Sequence, residues 1–93
     1  MDITQFTESL EQDQPDAKWA VQLKALWWDA KGDWQQAHGL IDHLTDQPSA
    51  RVHAYLHRVE GDLWNAKYWY NRSGEALFSG SLEQERDLLV KRF

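Results

Sequence analysis

The chain has 93 residues, one domain's worth, with 42% hydrophobic residues, no cysteine and a formal net charge of −5. This composition excludes a disordered chain and rules out disulfides and thiolate–metal sites, and the lack of any apolar run near ~18 residues excludes a transmembrane helix. The acidity argues against phosphate backbones and anionic membranes as partners, because the best basic candidates, Lys91 with Arg92 and Arg51 with Arg58, do not make a stripe.

Met1–Leu10 lacks a basic-then-apolar pattern, so a cytoplasmic protein is expected. In chain order, Asp2 caps a first helix with Gln5 at the capping-box position, and Ile3, Phe6 and Leu10 form its apolar face. Pro15 suits the first turn of a second helix, which carries Trp19, Leu23, Leu26, Trp27 and Ala30 and ends at Gly32. Asp33 caps a third helix that runs to about Thr45 with Trp34, Ala37, Leu40, Ile41 and Leu44 inward. Pro48 opens a fourth, ending at Gly61. Asp62 caps a fifth, ending at Gly74. Glu75–Gly80 reads as a loop anchored by Leu77 and Phe78. Ser81, with Gln84 three residues on, caps a last helix bearing Leu82, Leu89 and Phe93. No stretch has the period-two alternation of a strand. The expectation is a single all-α domain over 1–93, with one hairpin over about 15–45, a second over about 48–73 and a C-terminal helix over about 81–93.

An internal repeat is the strongest signal. Gly32-Asp33-Trp34-Gln35-Gln36-Ala37 recurs 29 residues later as Gly61-Asp62-Leu63-Trp64-Asn65-Ala66. Glycine takes the left-handed position that ends one helix. Aspartate accepts from the free N–H groups of the next. Alanine then lets the paired helices approach closely.

This string resembles the helix A–helix B junction of the tetratricopeptide repeat, over about Lys18 to Ser73. Ala25 and Ala54 stand where that repeat wants a small residue, Ala37 and Ala66 fit its second small position, and Pro48 lies near its closing proline. The period is shorter than the usual ~34 residues, and His53 and His57 replace large apolar residues. The stretch His53–Gly74 is also similar to a group of short bacterial proteins with no assigned activity. The resemblance implies two stacked hairpins capped by the terminal helices, as a closed bundle or an open superhelix. In its register His53 and His57 face the fifth helix rather than the third.

Three constellations are candidates for function. His53 and His57 are spaced i, i+4, with Glu60 continuing the stripe, a spacing that clamps a metal between imidazoles. His38, with Asp42 one turn on, would join them if the third and fourth helices are neighbours. The alternative is half-buried histidines bonded to Asn65, Tyr70 or a backbone carbonyl. Second, the six tryptophans exceed what a core this small absorbs. Trp28, Trp64 and Tyr68 are expected to include an exposed ring that anchors a partner, unless the last helix covers Trp64 and Tyr68. Third, Arg51, Tyr55 and Arg58 share one side of the fourth helix. By the resemblance they line a concave face that grips a carboxylate or phosphate, or they form a solvated face.

Nucleophile elbows, P-loops and H-E-x-x-H patterns are absent, and the carboxylates read as surface groups. The reading is a non-enzymatic module without a cofactor, binding a protein or peptide or associating with itself through Trp28, Arg51, Tyr55, Arg58, Trp64 and Tyr68. The alternative is a small metal- or ligand-binding protein using His38, His53, His57 and Glu60.

Overall fold

Short polar side chains and glycines set where the helices begin and end. A computed structural model describes residues 1–93 and contains six helices and no strand: α1 (Ile3–Ser9), α2 (Val21–Ala30), α3 (Trp34–Ile41), α4 (Gln47–Val59), α5 (Leu63–Ser73) and α6 (Leu82–Arg92). Asp2, Asp33, Asp46 and Asp62 accept from the backbone N–H groups of Gln5, Gln36, Ser49 and Asn65 at 3.0–3.2 Å. Ser81 and Gln84 complete a reciprocal capping box at the start of α6. Each cap satisfies a donor that the helix itself leaves orphaned.

The repeated junction is built twice in the same way. Gly32 and Gly61 sit at φ +88° and +81°, a left-handed conformation that strains any residue with a Cβ. Asp33 N–H then bonds back to Trp28 O, and Asp62 N–H to His57 O, both at 2.9 Å. Each aspartate therefore closes a Schellman motif with its backbone while capping the next helix with its side chain. Two residues suffice to reverse the chain.

The second helix starts later than Pro15 predicts. Asp16 accepts from the Lys18 N–H at 2.9 Å, a local bond that competes with helix formation. Trp19 stacks on Phe6 across this turn with ring centroids 6.3 Å apart, and α2 begins only at Val21. The hairpins are thus α2–α3 and α4–α5. Ala25, Ala37, Ala54 and Ala66 are all buried where helices cross, as their repeat positions require.

The main core gathers Phe6, Leu23, Leu26, Trp27, Ile41, Val52, Tyr55, Leu56, Leu89 and Val90. α4 is its axis and touches α2, α3, α5 and α6, while α1 meets α6. The terminal helices therefore close the stack into a bundle. The radius of gyration is 12.2 Å, against about 12.3 Å expected for a globule of this length. No helix is long and apolar enough to cross a membrane.

Candidate functional site

From Ser49 to His57 every residue of α4 is buried, which forces Arg51, His53, Tyr55 and His57 to find partners inside the protein. They do so on two sides, in two clusters of different kind.

On one side, His53 and His57 meet His38 of α3. The three offer ligand atoms that all lie within 4.8 Å of one another. His38 Nε2 and His53 Nε2 are 3.0 Å apart, so one of these nitrogens donates and the other accepts. The rings are clamped by indoles. Trp34 stacks on His38 with centroids 4.6 Å apart, and Trp69 of α5 stacks on His53 at 4.0 Å. Trp34 is itself fixed by donating its Nε1–H to Leu56 O at 2.6 Å. One carboxylate bonds an outer nitrogen and a second stands near another. His57 Nδ1 lies 2.6 Å from Glu60 Oε1, and His38 Nδ1 lies 3.9 Å from Asp42 Oδ2.

His53 Nδ1 is buried and has no partner. Leaving such a group unbonded costs about 1–3 kcal/mol. Burial, and after it the neighbouring imidazoles of His57 and His38, push the His53 ring down to about 4. Burial and then His57 lower His38 as well. Both shifts favour the neutral ring at pH 7.

The register expected for His53 and His57 needs correcting. α4 lies between α3 and α5, so the i, i+4 ridge of imidazoles reaches His38 while the Trp69 ring covers it from the α5 side. Neither Asn65 nor Tyr70 bonds them. Asn65 donates to Asp62 and Tyr70 to Glu85.

On the other side, Arg51, Tyr55 and Arg58 do not line an open face. α6 lies across them and inserts Glu85, which is fully buried. Glu85 pairs with Arg51 at 2.6 Å and with Arg58 at 2.8 Å, and also accepts from the Tyr70 hydroxyl. Burial, then the bond to Glu85, pushes the Tyr70 phenol up to about 12. Arg51 also bonds Glu75, which pairs with Arg92; the bond from Arg92 is the main cause holding the Glu75 carboxyl below its ordinary range. Tyr55 donates to Asp29 at 2.6 Å, and burial raises the Asp29 carboxyl.

The aromatic surplus ends on α5. Trp64 is 77% exposed, Leu63 58% and Tyr68 46%. Leu63 shares the stripe of Ala66 and Tyr70 but is the first residue of α5, where it remains exposed. α6 does not cover this surface, since it packs on α1, α2 and α4. Trp28 is half-buried, with its ring edge-on to Trp27. In the loop after α5, Phe78 packs inward while Leu77 stays exposed.

Sequence reasoning missed Glu85 and Trp69. Glu85 falls on the stripe of Leu82 and Leu89, so a carboxylate on an apolar face was the available signal. Trp69 carries no such mark. Comparison of the chain with protein-family models, curated proteins and solved structures returned no match.

Proposed function

We propose that the chain is a non-catalytic, cytoplasmic interaction module, and that the outer face of α5 receives its partner. The observation that supports this reading is the combination of exposure and charge on one helix. Leu63, Trp64 and Tyr68 are exposed, and exposed large aromatics are the usual anchors of interfaces. Lys67 and Arg72 flank them. Arg72 bonds the Tyr68 hydroxyl at 3.1 Å and lies over that ring, which presents ring and cation together. α5 has no Asp or Glu in a chain of net charge −5. A basic, aromatic strip on an acidic protein is complementary to an acidic polypeptide segment bearing apolar side chains. Arg51 and Tyr55 drop out of the contact surface because α6 covers them, and Trp28 contributes to the core.

Selection from a phage-displayed random peptide library on the immobilised protein tests this. Enriched peptides should combine Asp or Glu with aromatic or aliphatic residues, and should quench part of the tryptophan emission. Trp64→Ala or Lys67→Glu should abolish their binding. Peptides that bind both variants as well as the parent would overturn the reading. So would concentration-dependent sedimentation that Trp64→Ala cures, which would assign the face to a second copy of the chain.

A further inference from the structure

The geometry points to a three-imidazole site, formed by His38, His53 and His57, for a first-row divalent transition metal of the zinc class. Glu60 orients the His57 ring, and Asp42 stands near that of His38. This inference rests on other residues than the α5 face, although Trp69, which stacks on His53, also meets Tyr68.

The first argument is convergence. The ligands come from two helices in different hairpins, yet their ligand atoms lie within 4.8 Å of one another. Two nitrogens of a tetrahedral zinc site sit about 3.3 Å apart, given zinc–nitrogen bonds of about 2.0–2.1 Å. His38 Nε2 and His53 Nε2 are already 3.0 Å apart, a few tenths of an ångström from that spacing, and the His57 atom has to close in from within 4.8 Å.

The second argument is the outer shell. A metal-bound histidine usually donates its other ring N–H to a carboxylate or carbonyl, which fixes the tautomer and aims the lone pair. Glu60 accepts from His57 Nδ1 at 2.6 Å, and Asp42 stands 3.9 Å from His38 Nδ1. Both arrangements leave Nε2 as the free donor atom. Stacking on Trp34 and Trp69 fixes the ring planes of His38 and His53.

The third argument is that the protein alone does not satisfy the cluster. A hydrogen bond between two imidazoles occupies the Nε2 proton of one ring and the Nε2 lone pair of the other; His53 Nδ1, which an ion on Nε2 does not reach, is unpartnered either way. His57 Nε2 has no protein partner among the hydrogen bonds of the cluster. An ion that accepts three lone pairs replaces the one internal bond with three stronger ones.

Donor chemistry selects the ion. Three neutral nitrogens suit zinc, cobalt, nickel or copper(II). Calcium and magnesium need oxygen-rich shells that this site lacks. With three protein ligands the fourth position is open to water or a small anion, as in non-structural zinc sites.

The test uses the full chain without a histidine tag, stripped of metal by chelator and exchanged into chelator-free buffer. Cobalt chloride is added while visible absorption and tryptophan emission are recorded, and zinc chloride is titrated calorimetrically. One ion should bind per chain, cobalt should develop an intense visible band, and zinc should raise the thermal midpoint. Glu60→Gln, on the surface, should weaken zinc binding about 10–100-fold. His38→Gln, His53→Gln and His57→Gln should each weaken it further, with helicity checked by circular dichroism. His43→Gln, at an exposed ring, should leave it unchanged. Absence of stoichiometric binding at micromolar zinc would overturn the inference. So would binding that survives His53→Gln and Glu60→Gln, or that is lost on His43→Gln.

Discussion

The two clusters on α4 bury comparable polar groups, and they are completed in different ways, one by charge and one by neutral rings. Around Glu85, Oε1 accepts from Arg58 and Oε2 from Tyr70, and Oε2 also pairs with Arg51, so charge closes the cluster although Arg51 Nη1 makes no hydrogen bond. Around His53, three imidazoles share a single internal bond and one buried nitrogen is left over. Closed networks of this sort hold elements in place, and here α6 is pinned across α4. A half-satisfied network of neutral rings costs stability. The contrast sets a charged cluster that ties α6 to α4 beside a neutral one for which a metal is proposed.

The sharpest way to break this comparison is to open the charged cluster. Glu85→Gln leaves two arginines beside a neutral amide, and should destabilise by about 3–5 kcal/mol in urea melts. A loss under about 1 kcal/mol would mean water already screens the pair. Ala66→Leu should cost about 1–3 kcal/mol by overpacking the α4–α5 crossing, and should also lift Trp69 off His53, seen as a change in tryptophan emission. An unchanged midpoint would refute the packing at this crossing. Asp62→Ala, which removes the cap of α5, should cost about 1 kcal/mol. Full stability would show that the Schellman motif suffices without it.

The smallest effect belongs to the neutral cluster. In metal-free protein at pH 7, His53→Leu removes an unsatisfied group together with one weak bond, so stability should change by no more than about 1 kcal/mol. The same variant tests the pH dependence. In the folded chain His53 titrates at about 4, while an unfolded histidine titrates at about 6.5. Between those values the unfolded state takes up a proton that the folded state refuses, so stability falls as pH drops from about 6.5 towards 4 and is fully present above 6.5. His38, lowered in the same direction, adds to the slope. His57, Asp42 and Glu60 are the other titratable groups facing the ring. His53→Leu should flatten the slope; a slope identical to the parent's would remove His53 as its cause.

The fold was legible because local chemistry specified it. Gly32, Asp33, Gly61 and Asp62 act within a few residues of themselves, and their roles follow from backbone geometry alone. Ala37 and Ala66 were readable for the same reason, through the repeat that places them. Pro15 misled because Asp16 diverts the chain into a turn that proline permits equally well. The clusters were harder to read, since their partners lie far apart in sequence. Arg51 stands on α4 and Glu85 on α6, with the whole of α5 between them. The spacing of His53 and His57 showed the two-residue half of the site. That His38 joins them depends on how α3 leans on α4, and a repeat register borrowed from a different period placed it wrongly. The exposure of Trp64 followed from an excess of tryptophan, but which ring stayed outside depended on where α6 came to rest.

The most direct test of the contrast between the clusters is long-range ¹H–¹⁵N NMR of the histidine rings during zinc addition to the chelator-treated chain. The ring nitrogens distinguish a protonated, a free and a metal-bound atom at each of the four histidines separately. The account predicts that the Nε2 signals of His38, His53 and His57 shift together and saturate at one zinc per chain, while His43 stays as it was. Unmoved signals at His38, His53 and His57 under saturating zinc, or a shift confined to His43, would contradict it.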